Sequence, residues 1–484
     1  MSRLIIVSNR TPTTGPSAGG LAVALRRPLA DRQGFWFGWS GKLVEHPSSE
    51  ARFSKVDDIE VGVVDLTRDD HHAYYAGFAN SILWPSFHQR LDLANIDSRW
   101  YEGYRGVNQQ FARALRPHLR PDDLIWVHDY HLIPLGAELR ALGVRNRIGF
   151  YLHIPFPTAD ALLAIPHQAE LMSDFSRYDL IGFQAERDLA DFRASLAREP
   201  SPPLEGTGPQ PLDFSRTQIA VFPIGSDPKS FARLSRSAAA NKMTARMRSS
   251  LQDQALILGV DRLDYSKGLP QRVEAYENLL ANNPEFRRAV HFLQVAPPSR
   301  DSIKEYRAIS ETLDAAVGRV MGRFSEPDWQ PLTYVKRAYS QASLAGLYRL
   351  ARVGLVTPLR DGMNLVAHEY IASQNPDDPG VLVLSHFAGA AEIFPEAVRV
   401  NPFDAEETAQ ALRVALTMPL EERLSRWRSL FAAAENFSVD KWADRFIAAL
   451  SGEVDEPDED ATIAVTGREP QAAPRDASAS SRPI

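Results

Sequence analysis

Short apolar runs alternate with longer amphipathic stretches along almost the whole of this 484-residue chain. The stretches between the runs, such as 270–280 and 405–416, have the apolar spacing of helices. This alternation is typical of α/β folds and predicts parallel, doubly wound sheets. The runs that we interpret as strands are 4–7, 124–127, 148–152, 180–183, 219–222, 256–260, 292–295, 354–356 and 381–384.

The strand candidates fall into two sets, separated by a stretch with little periodicity at 213–238. A chain of this length is also too long for one ordinary domain. We therefore predict two Rossmann-like, doubly wound parallel-sheet domains that face each other across a cleft. Their predicted limits are 1–230 and 231–438, followed by a helix at 439–451. Residues 452–484 are acidic and then rich in Ala, Ser and Pro, which is typical of a disordered tail.

Composition excludes several functional classes. The formal net charge of −7 has no basic excess, so we expect no nucleic-acid partner. The chain has no cysteine, which excludes disulfides and thiolate catalysis. No apolar run has the length of a membrane span, and the first residues do not resemble a secretory signal. We therefore expect a soluble cytoplasmic protein that does not bind membranes.

Five polar side chains follow strand candidates within a few residues. The carboxyl ends of parallel strands lie at the same edge of a sheet, where ligands of open α/β folds bind. The two predicted sheets both contribute to this set, which indicates one shared site in the cleft between them. The five residues are Arg10, Asp129, His153, Arg262 and Asp361.

Two segments of the second half indicate a nucleotide-sugar site. The first, 260–268, carries Arg262 and Lys267 just beyond a strand. The second, 357–369, follows another strand with a turn that contains glycine and then a helix that carries Glu369. Guanidinium and ammonium groups bind a diphosphate, and free N–H groups at a helix start face an anion. A carboxylate can accept hydrogen bonds from sugar or ribose hydroxyls.

Weaker signals lie elsewhere in the chain. Gly19 and Gly20 precede a predicted helix and could let the backbone approach a sugar or phosphate, although a tight turn explains them equally well. Aromatic residues at 36–39, 74–75 and 84 could cover the apolar face of a sugar, but ordinary core packing is the alternative. Arg300 could bind a phosphate or lie on the surface.

Two further classes of site are not supported. His128 and His131 lack the spacing of a zinc helix, and an Asp-x-Asp triplet occurs only in the tail. We therefore predict no metal and no cofactor. No G-x-G-x-x-G occurs either, which argues against a nicotinamide-linked dehydrogenase.

Taken together, these segments resemble the trehalose-6-phosphate synthases, a retaining glycosyltransferase family of the GT-B type. The resemblance extends from about residue 4 to about residue 450. Its motifs, in chain order, are Val7-Ser-Asn-Arg10, Ala18-Gly-Gly-Leu21, Trp36-Phe-Gly-Trp-Ser-Gly41, Leu83-Trp-Pro, His128-Asp-Tyr-His131, His153-Ile-Pro-Phe-Pro157, Asp261-Arg-Leu-Asp-Tyr-Ser-Lys-Gly268, Pro358-Leu-Arg-Asp-Gly-Met-Asn-Leu365 and Leu384-Ser-His-Phe-Ala-Gly-Ala390.

The resemblance implies a reaction and a set of residues. The enzyme would transfer glucose from a nucleotide sugar, usually UDP-glucose, to glucose 6-phosphate without a metal, and would make α,α-trehalose 6-phosphate. The implied catalytic residues are Asp129, His153, Arg262, Lys267 and Asp361. The implied donor-binding residues are Gly19, Gly20, His153, Arg262, Lys267, Asp361, Gly362, Met363, Asn364, Leu365 and Glu369. The implied acceptor-binding residues are Arg10, Trp39, Tyr75, Trp84, Asp129 and Arg300.

Several alternatives stay open at this point. A related enzyme with another acceptor, such as a glucosylglycerol-phosphate synthase or a pseudo-sugar coupling enzyme, would share most of the motifs. A non-catalytic regulatory subunit should have lost residues such as Lys267 and Glu369, which are present. The resemblance also implies a homo-oligomer, a dimer or a tetramer. The sequence does not identify the nucleobase, and the segment 11–16 looks short for the family.

Overall fold

The computed structural model of the chain describes residues 2–12, 20–198, 212–299 and 304–453. These residues form two sheets surrounded by helices, which confirms the predicted α/β class with two parallel-sheet units. Gly19, Arg300 and the predicted tail from residue 454 onward lie outside the described residues.

The first sheet has the order β3-β4-β2-β1-β5-β6-β7-β8. All neighbouring strands pair in parallel except β3, which is antiparallel to β4. Strand order reverses at β1 and β5, which is where ligands bind in folds of this type. The strands are β1 Leu4–Arg10, β2 Phe35–Leu43, β3 Arg52–Val56, β4 Ile59–Leu66, β5 Leu124–His128, β6 Arg147–Tyr151, β7 Leu180–Phe183 and β8 Gln218–Val221.

The second sheet is entirely parallel, with the order β11-β10-β9-β12-β13-β14. Its strand order reverses between β9 and β12. The central strands are buried along almost their whole length, which explains their continuous apolar sequences. The strands are β9 Ala255–Val260, β10 Val290–Val295, β11 Leu332–Val335, β12 Val353–Val356, β13 Val381–Ser385 and β14 Val398–Val400.

Helices cover the faces of both sheets. Those that accompany the first sheet are Gly20–Asp31, Arg68–Asp70, the π-helix His71–Leu83, Trp84–Phe87, Trp100–Leu115, Leu135–Ala141, Ala159–Leu163, Gln168–Phe175 and Glu186–Ala197. Those that accompany the second are Pro228–Leu234, Ala238–Leu251, Leu269–Asn282, Lys304–Phe324, Gln341–Leu350, Leu365–Ser373, Ala390–Ile393, Ala405–Thr417 and Leu420–Asn436. Short 3₁₀ turns lie at Leu91–Leu93, Arg116–His118, Tyr130–Leu132, Tyr265–Lys267 and Pro284–Phe286.

All nine predicted strands are present, and five further strands, β2, β3, β4, β11 and β14, were not predicted. The aromatic run at 36–39 is part of β2, where we had predicted only a cluster of aromatic residues. Gly38 interrupts its apolar pattern because a Cβ there would lie 2.3 Å from the carbonyl oxygen of Ser8 on β1. The strand β3 is mostly exposed and polar, so it carries no apolar signal.

The last described helix, Val439–Ser451, follows the helices of the second sheet but packs on the first. Its Phe446 ring stacks on Trp126 of β5 at a centroid distance of 4.3 Å. Gly149 on β6 and Gly182 on β7 make room for this ring, since a Cβ on either would lie 2.8 Å from it. The chain therefore crosses twice from one sheet to the other, first after β8 and again just before this helix.

The predicted domain limits stay predictions. The helix Pro228–Leu234, which contains residue 230, packs on the second-sheet side through Phe231, which clusters with Ala345 and Ala372.

The two passages of the chain lie against each other at Gly225. A Cβ at this position would lie 1.7 Å from the carbonyl oxygen of Phe437, and Val439 N–H donates to Ser226 O at 3.0 Å. We predict that Gly225→Ala lowers the free energy of unfolding by about 2–3 kcal/mol, because one backbone must move. Chemical denaturation measures the change.

Gly106 provides the matched control, since a Cβ there meets nothing within 4 Å and the residue lies inside the helix Trp100–Leu115. Gly106→Ala should raise the free energy of unfolding by about 1 kcal/mol through helix propensity. Equal effects of the two substitutions would contradict a tight contact between the passages.

Candidate active site

The loops that follow β6 and β12 touch each other, which brings the carboxyl edges of the two sheets together. A Cβ on Gly362 would lie 2.4 Å from the carbonyl oxygen of His153. A Cβ on Gly389, after β13, would lie 1.8 Å from the carbonyl oxygen of Gly362. Both positions therefore need glycine, and the residues that follow β6 and β12 lie close together.

An ion pair between Lys267 and Asp361 lies at the point where the second sheet changes strand order. Lys267 Nζ is 2.5 Å from Asp361 Oδ2, and the two side chains are only 10% and 14% exposed. Asn364 Nδ2 donates to the same oxygen at 3.1 Å. Burial acts to raise the pKa of Asp361, but the charge and hydrogen bond of Lys267, with smaller effects of His88 and Asn364, lower it overall. Asp361 is therefore ionised at neutral pH.

The start of the helix Leu365–Ser373 presents unused N–H groups beside this pair. Asn364 caps the helix with a positive φ of 88°, and its side chain accepts from Ala367 N–H. Among the described residues, none accepts a hydrogen bond from the backbone N–H groups of 362–365. Such groups at a helix start bind anions.

Glu369 and Arg262 complete the second-sheet side. Arg262 follows β9 and is exposed. Tyr348 donates its hydroxyl to Glu369 Oε2 at 3.2 Å. Burial raises the pKa of Glu369 to about 7, and the Tyr348 hydrogen bond only partly opposes this. Glu369 therefore titrates near neutral pH, unlike Asp361.

On the first-sheet side, Asp129 and His153 lie at the ends of β5 and β6. His153 N–H donates to Asp129 Oδ1 at 3.3 Å, and His153 Nε2 lies 3.0 Å from His128 Nδ1. Burial lowers the pKa of His153 to about 3, so the imidazole is neutral. Asp129 has a φ of 77° and a ψ of 163°, a conformation that is unfavourable for a residue with a Cβ. Strain of this kind concentrates at functional sites.

The predicted acceptor residues Arg10, Trp39 and Tyr75 lie together. The Arg10 guanidinium lies over the Trp39 ring, 4.8 Å from its centroid, and the Trp39 and Tyr75 centroids are 6.3 Å apart. Gly41, with a φ of 87°, leaves room for that guanidinium. Trp39 is almost buried, so it mainly supports its neighbours.

Trp84 and Gly20 are two further residues of the predicted site. The Trp84 ring packs on Tyr130 and His88, and it is almost buried like Trp39. Gly20 begins the helix Gly20–Asp31 after β1. The predicted partners of these two residues, Gly19 and Arg300, lie outside the described residues.

Sequence reasoning missed two residues of the cleft. Arg187, on a helix beside the first sheet, donates to the Asp361 carbonyl oxygen at 2.7 Å, and no local pattern marks it. His88 is buried, its Nδ1 lies 2.7 Å from Trp84 O, and burial lowers its pKa to about 4. It stands three residues after the Leu83-Trp-Pro motif, and the charges of Lys267 and Asp361 both act on it.

Within the described ranges, no three potential metal ligands of the His, Asp or Glu type cluster together. Over the same ranges, no helix combines the length and the apolar sequence that crossing a bilayer requires.

The environment of Glu369 predicts a pH dependence of stability. A folded pKa of about 7 against an ordinary value of 4.5 favours the protonated form in the folded state. The stabilisation is therefore complete below about pH 4.5 and is lost as pH rises through about 7. We expect Glu369→Gln to remove up to about 3 kcal/mol of pH dependence from the free energy of unfolding between pH 5 and 8.

Urea denaturation across this pH range measures the effect, with Glu274→Gln as the control at an exposed position. The control should follow the wild-type profile. A Glu369→Gln variant that keeps the wild-type pH profile would refute the burial of an ionisable carboxyl group here.

Comparison with known proteins shows that this chain is similar to a family of glycosyltransferases. The model of glycosyltransferase family 20 matches residues 4–452. A trehalose-6-phosphate synthase of Sinorhizobium fredii is 47% identical over 462 residues, which cover 94% of this chain and 99% of the relative.

Two solved structures of similar proteins contain a bound ligand. An α,α-trehalose-phosphate synthase (UDP-forming) from Burkholderia xenovorans in complex with glucose-6-phosphate has a TM-score of 0.86 and 45% identity, over 93% of this chain and 100% of that one. The E. coli protein bound with UDP-2-fluoro glucose has a TM-score of 0.87 and 41% identity, over 94% of this chain and 100% of that one.

Proposed function

Because the chain belongs to glycosyltransferase family 20, we propose that it transfers glucose from UDP-glucose to glucose 6-phosphate and forms α,α-trehalose 6-phosphate with retention. Relatives at 41–47% identity that align over nearly the whole chain support this proposal. The observation that carries it is the Lys267–Asp361 pair beside the backbone N–H groups of 362–365, which have no acceptor within the described part of the chain. Together these groups provide a cation and a helix start for a diphosphate.

The proposed donor site follows from the charges. When glucose leaves, negative charge develops on the phosphate oxygens of UDP. The Lys267 side chain is largely withdrawn from water, where a fixed cation stabilises such charge strongly, and the exposed Arg262 would add a second cation. The amides of 362–365, which comprise Gly362, Met363, Asn364 and Leu365, would hold the distal phosphate and the glucose together with Asp361. Glu369 would accept hydrogen bonds from the ribose, and His153 with the Gly19–Gly20 turn would contact the glucose.

The proposed acceptor site lies on the first sheet. Arg10 and Tyr75 border an aromatic wall, which suits a phosphorylated sugar. Asp129 has a strained backbone, and its carboxylate would face the acceptor ring. Trp39 and Trp84 would form the walls behind these residues, and Arg300 would complete the phosphate site.

We propose a same-face displacement without a covalent glycosyl-enzyme intermediate. In that step the bond from glucose C1 to the UDP oxygen breaks while C1 bonds to the acceptor hydroxyl oxygen. The leaving phosphate oxygen takes the hydroxyl proton. Asp361 Oδ2 accepts from both Lys267 and Asn364, and the positive charge of Lys267 makes this carboxylate a weaker nucleophile. His153 has a pKa of about 3 and is a poor base.

The test is release of nucleoside diphosphate from UDP-, GDP- and ADP-glucose, each with glucose 6-phosphate and with glycerol 3-phosphate. We expect UDP release that requires glucose 6-phosphate. In this proposal Arg262 and Lys267 neutralise the negative charge of the diphosphate, so no metal ion is needed. Removal of metal ions with EDTA should therefore leave the rate of UDP release unchanged. Release with glycerol 3-phosphate alone would favour the related-acceptor alternative, and no release with any pair would favour a regulatory subunit.

Substitution of Lys267 tests the site itself. Lys267→Met keeps the aliphatic stem and removes the cation, so we expect kcat to fall on the order of 10²–10³-fold, as for loss of one oxyanion-stabilising group. Steady-state UDP release measures it.

Lys336→Met is the matched control, because Lys336 is 41% exposed and pairs with Asp314. The control should retain wild-type kcat. A Lys267→Met variant within about threefold of wild type would contradict the role of this cation.

Three further proposals concern the cellular compartment, the oligomeric state and the domain limits. The cytoplasm is the proposed compartment, since both substrates are phosphorylated metabolites. A homo-oligomer, either a dimer or a tetramer, is the proposed assembly, and light scattering decides between the two. The domain limits 1–230, 231–438 and 439–451 remain proposed limits, which limited proteolysis would test.

A further inference from the structure

A fully buried arginine lies behind the proposed donor site. Arg272 is on the helix Leu269–Asn282, and its side chain is 0% exposed. Its NH2 group lies 2.6 Å from Asp261 Oδ2, on a side chain that is 4% exposed. Gly259 on β9 leaves room for both the Gln294 side chain and the guanidinium, because a Cβ there would lie 2.4 Å from Gln294 Oε1 and 3.3 Å from Arg272 NH1.

The guanidinium binds three segments that the fold brings together. Besides Asp261, which follows β9, Arg272 Nε donates to Thr357 Oγ1 at 2.8 Å, just after β12. Arg272 NH2 also donates to the Lys267 carbonyl oxygen at 3.1 Å. One rigid, planar side chain therefore joins the ends of the two central strands to the backbone of the proposed catalytic lysine.

The contacts continue from Asp261 and return to Lys267. Asn364 Nδ2 lies 3.5 Å from Asp261 Oδ1 and donates to Asp361 Oδ2 at 3.1 Å. Asp361 Oδ2 in turn accepts from Lys267 Nζ at 2.5 Å. The residues Arg272, Asp261, Asn364, Asp361 and Lys267 thus form a closed ring of polar contacts, which we call the buried ring.

We infer that Arg272 is a positioning residue, which holds Lys267 and Asn364 in the geometry that receives the donor diphosphate. This inference rests on the proposed function. Arg272 is buried behind the residues proposed to bind the donor, so it acts through Lys267 and Asn364. It fixes Lys267 through the backbone and Asn364 through Asp261, and it anchors both to the ends of β9 and β12.

A role in stability alone explains the ring less well. Replacing buried ion pairs with apolar residues of similar volume is often neutral or stabilising, so such pairs are weak evidence for a stabilising role. Fixed placement of charged groups before the substrate binds is, by contrast, a large part of catalysis. The buried ring provides that placement, because each of its members is held by two neighbours.

Two substitutions weaken the buried ring without changing any residue that is proposed to touch the nucleotide sugar. Thr357→Val keeps the side-chain shape and removes one acceptor of the guanidinium. Arg272→Lys keeps the charge near Asp261 but cannot reach all three partners. We expect each to lower kcat and to raise the Kd for UDP on the order of 10-fold or more, with an unchanged Kd for glucose 6-phosphate. Calorimetric titration with UDP and with glucose 6-phosphate, together with UDP-release kinetics, measures these values.

Matched variants separate positioning from folding. Thr357→Ser retains the hydroxyl and should restore most of kcat and of the UDP affinity. Thr408→Val and Arg423→Lys change buried residues that bond away from the ring: Thr408 to Asp404 O, and Arg423 to Asp378 and to carbonyl oxygens at 418 and 379. These two should lower the melting temperature and leave the Kd for UDP unchanged.

The outcomes are distinct. Wild-type UDP affinity and kcat in Thr357→Val and Arg272→Lys would overturn the inference, as would a Thr357→Ser variant as impaired as Thr357→Val. A wild-type protein that binds UDP but releases none with glucose 6-phosphate would refute the proposed function. The UDP titrations of the variants would then still decide whether Arg272 positions the site.

Discussion

The structure depends on a backbone contact between its two halves, where the loop after β12 lies against the loop after β6. A Cβ on Gly362 would lie 2.4 Å from the His153 carbonyl oxygen, so the two backbones can approach this closely only with glycine at 362. Arg187 reinforces the contact by donating to Asp361 O, and Glu392 accepts from the N–H group of Glu186 at 2.8 Å. Because of this contact, the strand ends of both sheets form one cleft, and residues far apart in sequence can act on one pair of substrates.

Burial between the two halves also determines the electrostatics of the ionisable groups Lys267, Asp361 and Glu369. Lys267 and Asp361 are nearly withdrawn from water, and the charge and hydrogen bond of Lys267 lower the pKa of Asp361 against the opposing effect of burial. In the proposed function, a diphosphate would meet a cation that is already in place, at a helix start whose first N–H groups have no acceptor among the described residues. Glu369 differs, since its pKa of about 7 makes it sensitive to whatever donates hydrogen bonds to it. Asp361 and Glu369 lie in the same short segment, yet their pKa values are shifted in opposite directions because their hydrogen-bond partners differ.

The sequence predicted the parts of the molecule that local patterns determine. Buried parallel strands are continuous apolar runs, so β5, β7, β9 and β12 could be located, and with them the polar residues at their ends. The strands β3 and β14 are short or exposed and carry no such pattern. Arg187 and Arg272 could not be predicted either, since each acquires its contacts only when distant segments meet. Motifs marked the residues proposed to touch substrate, and tertiary structure reveals those that hold them in place.

In the proposed reaction, the protein joins two glucose units through their anomeric carbons with retention. The most direct test is ¹³C NMR of the product formed from UDP-glucose labelled at C1 and unlabelled glucose 6-phosphate. Retaining transfer should give a single product whose labelled anomeric carbon is α-configured and linked to the anomeric carbon of glucose 6-phosphate. A β-configured label, free labelled glucose, or a linkage to any other carbon would contradict it.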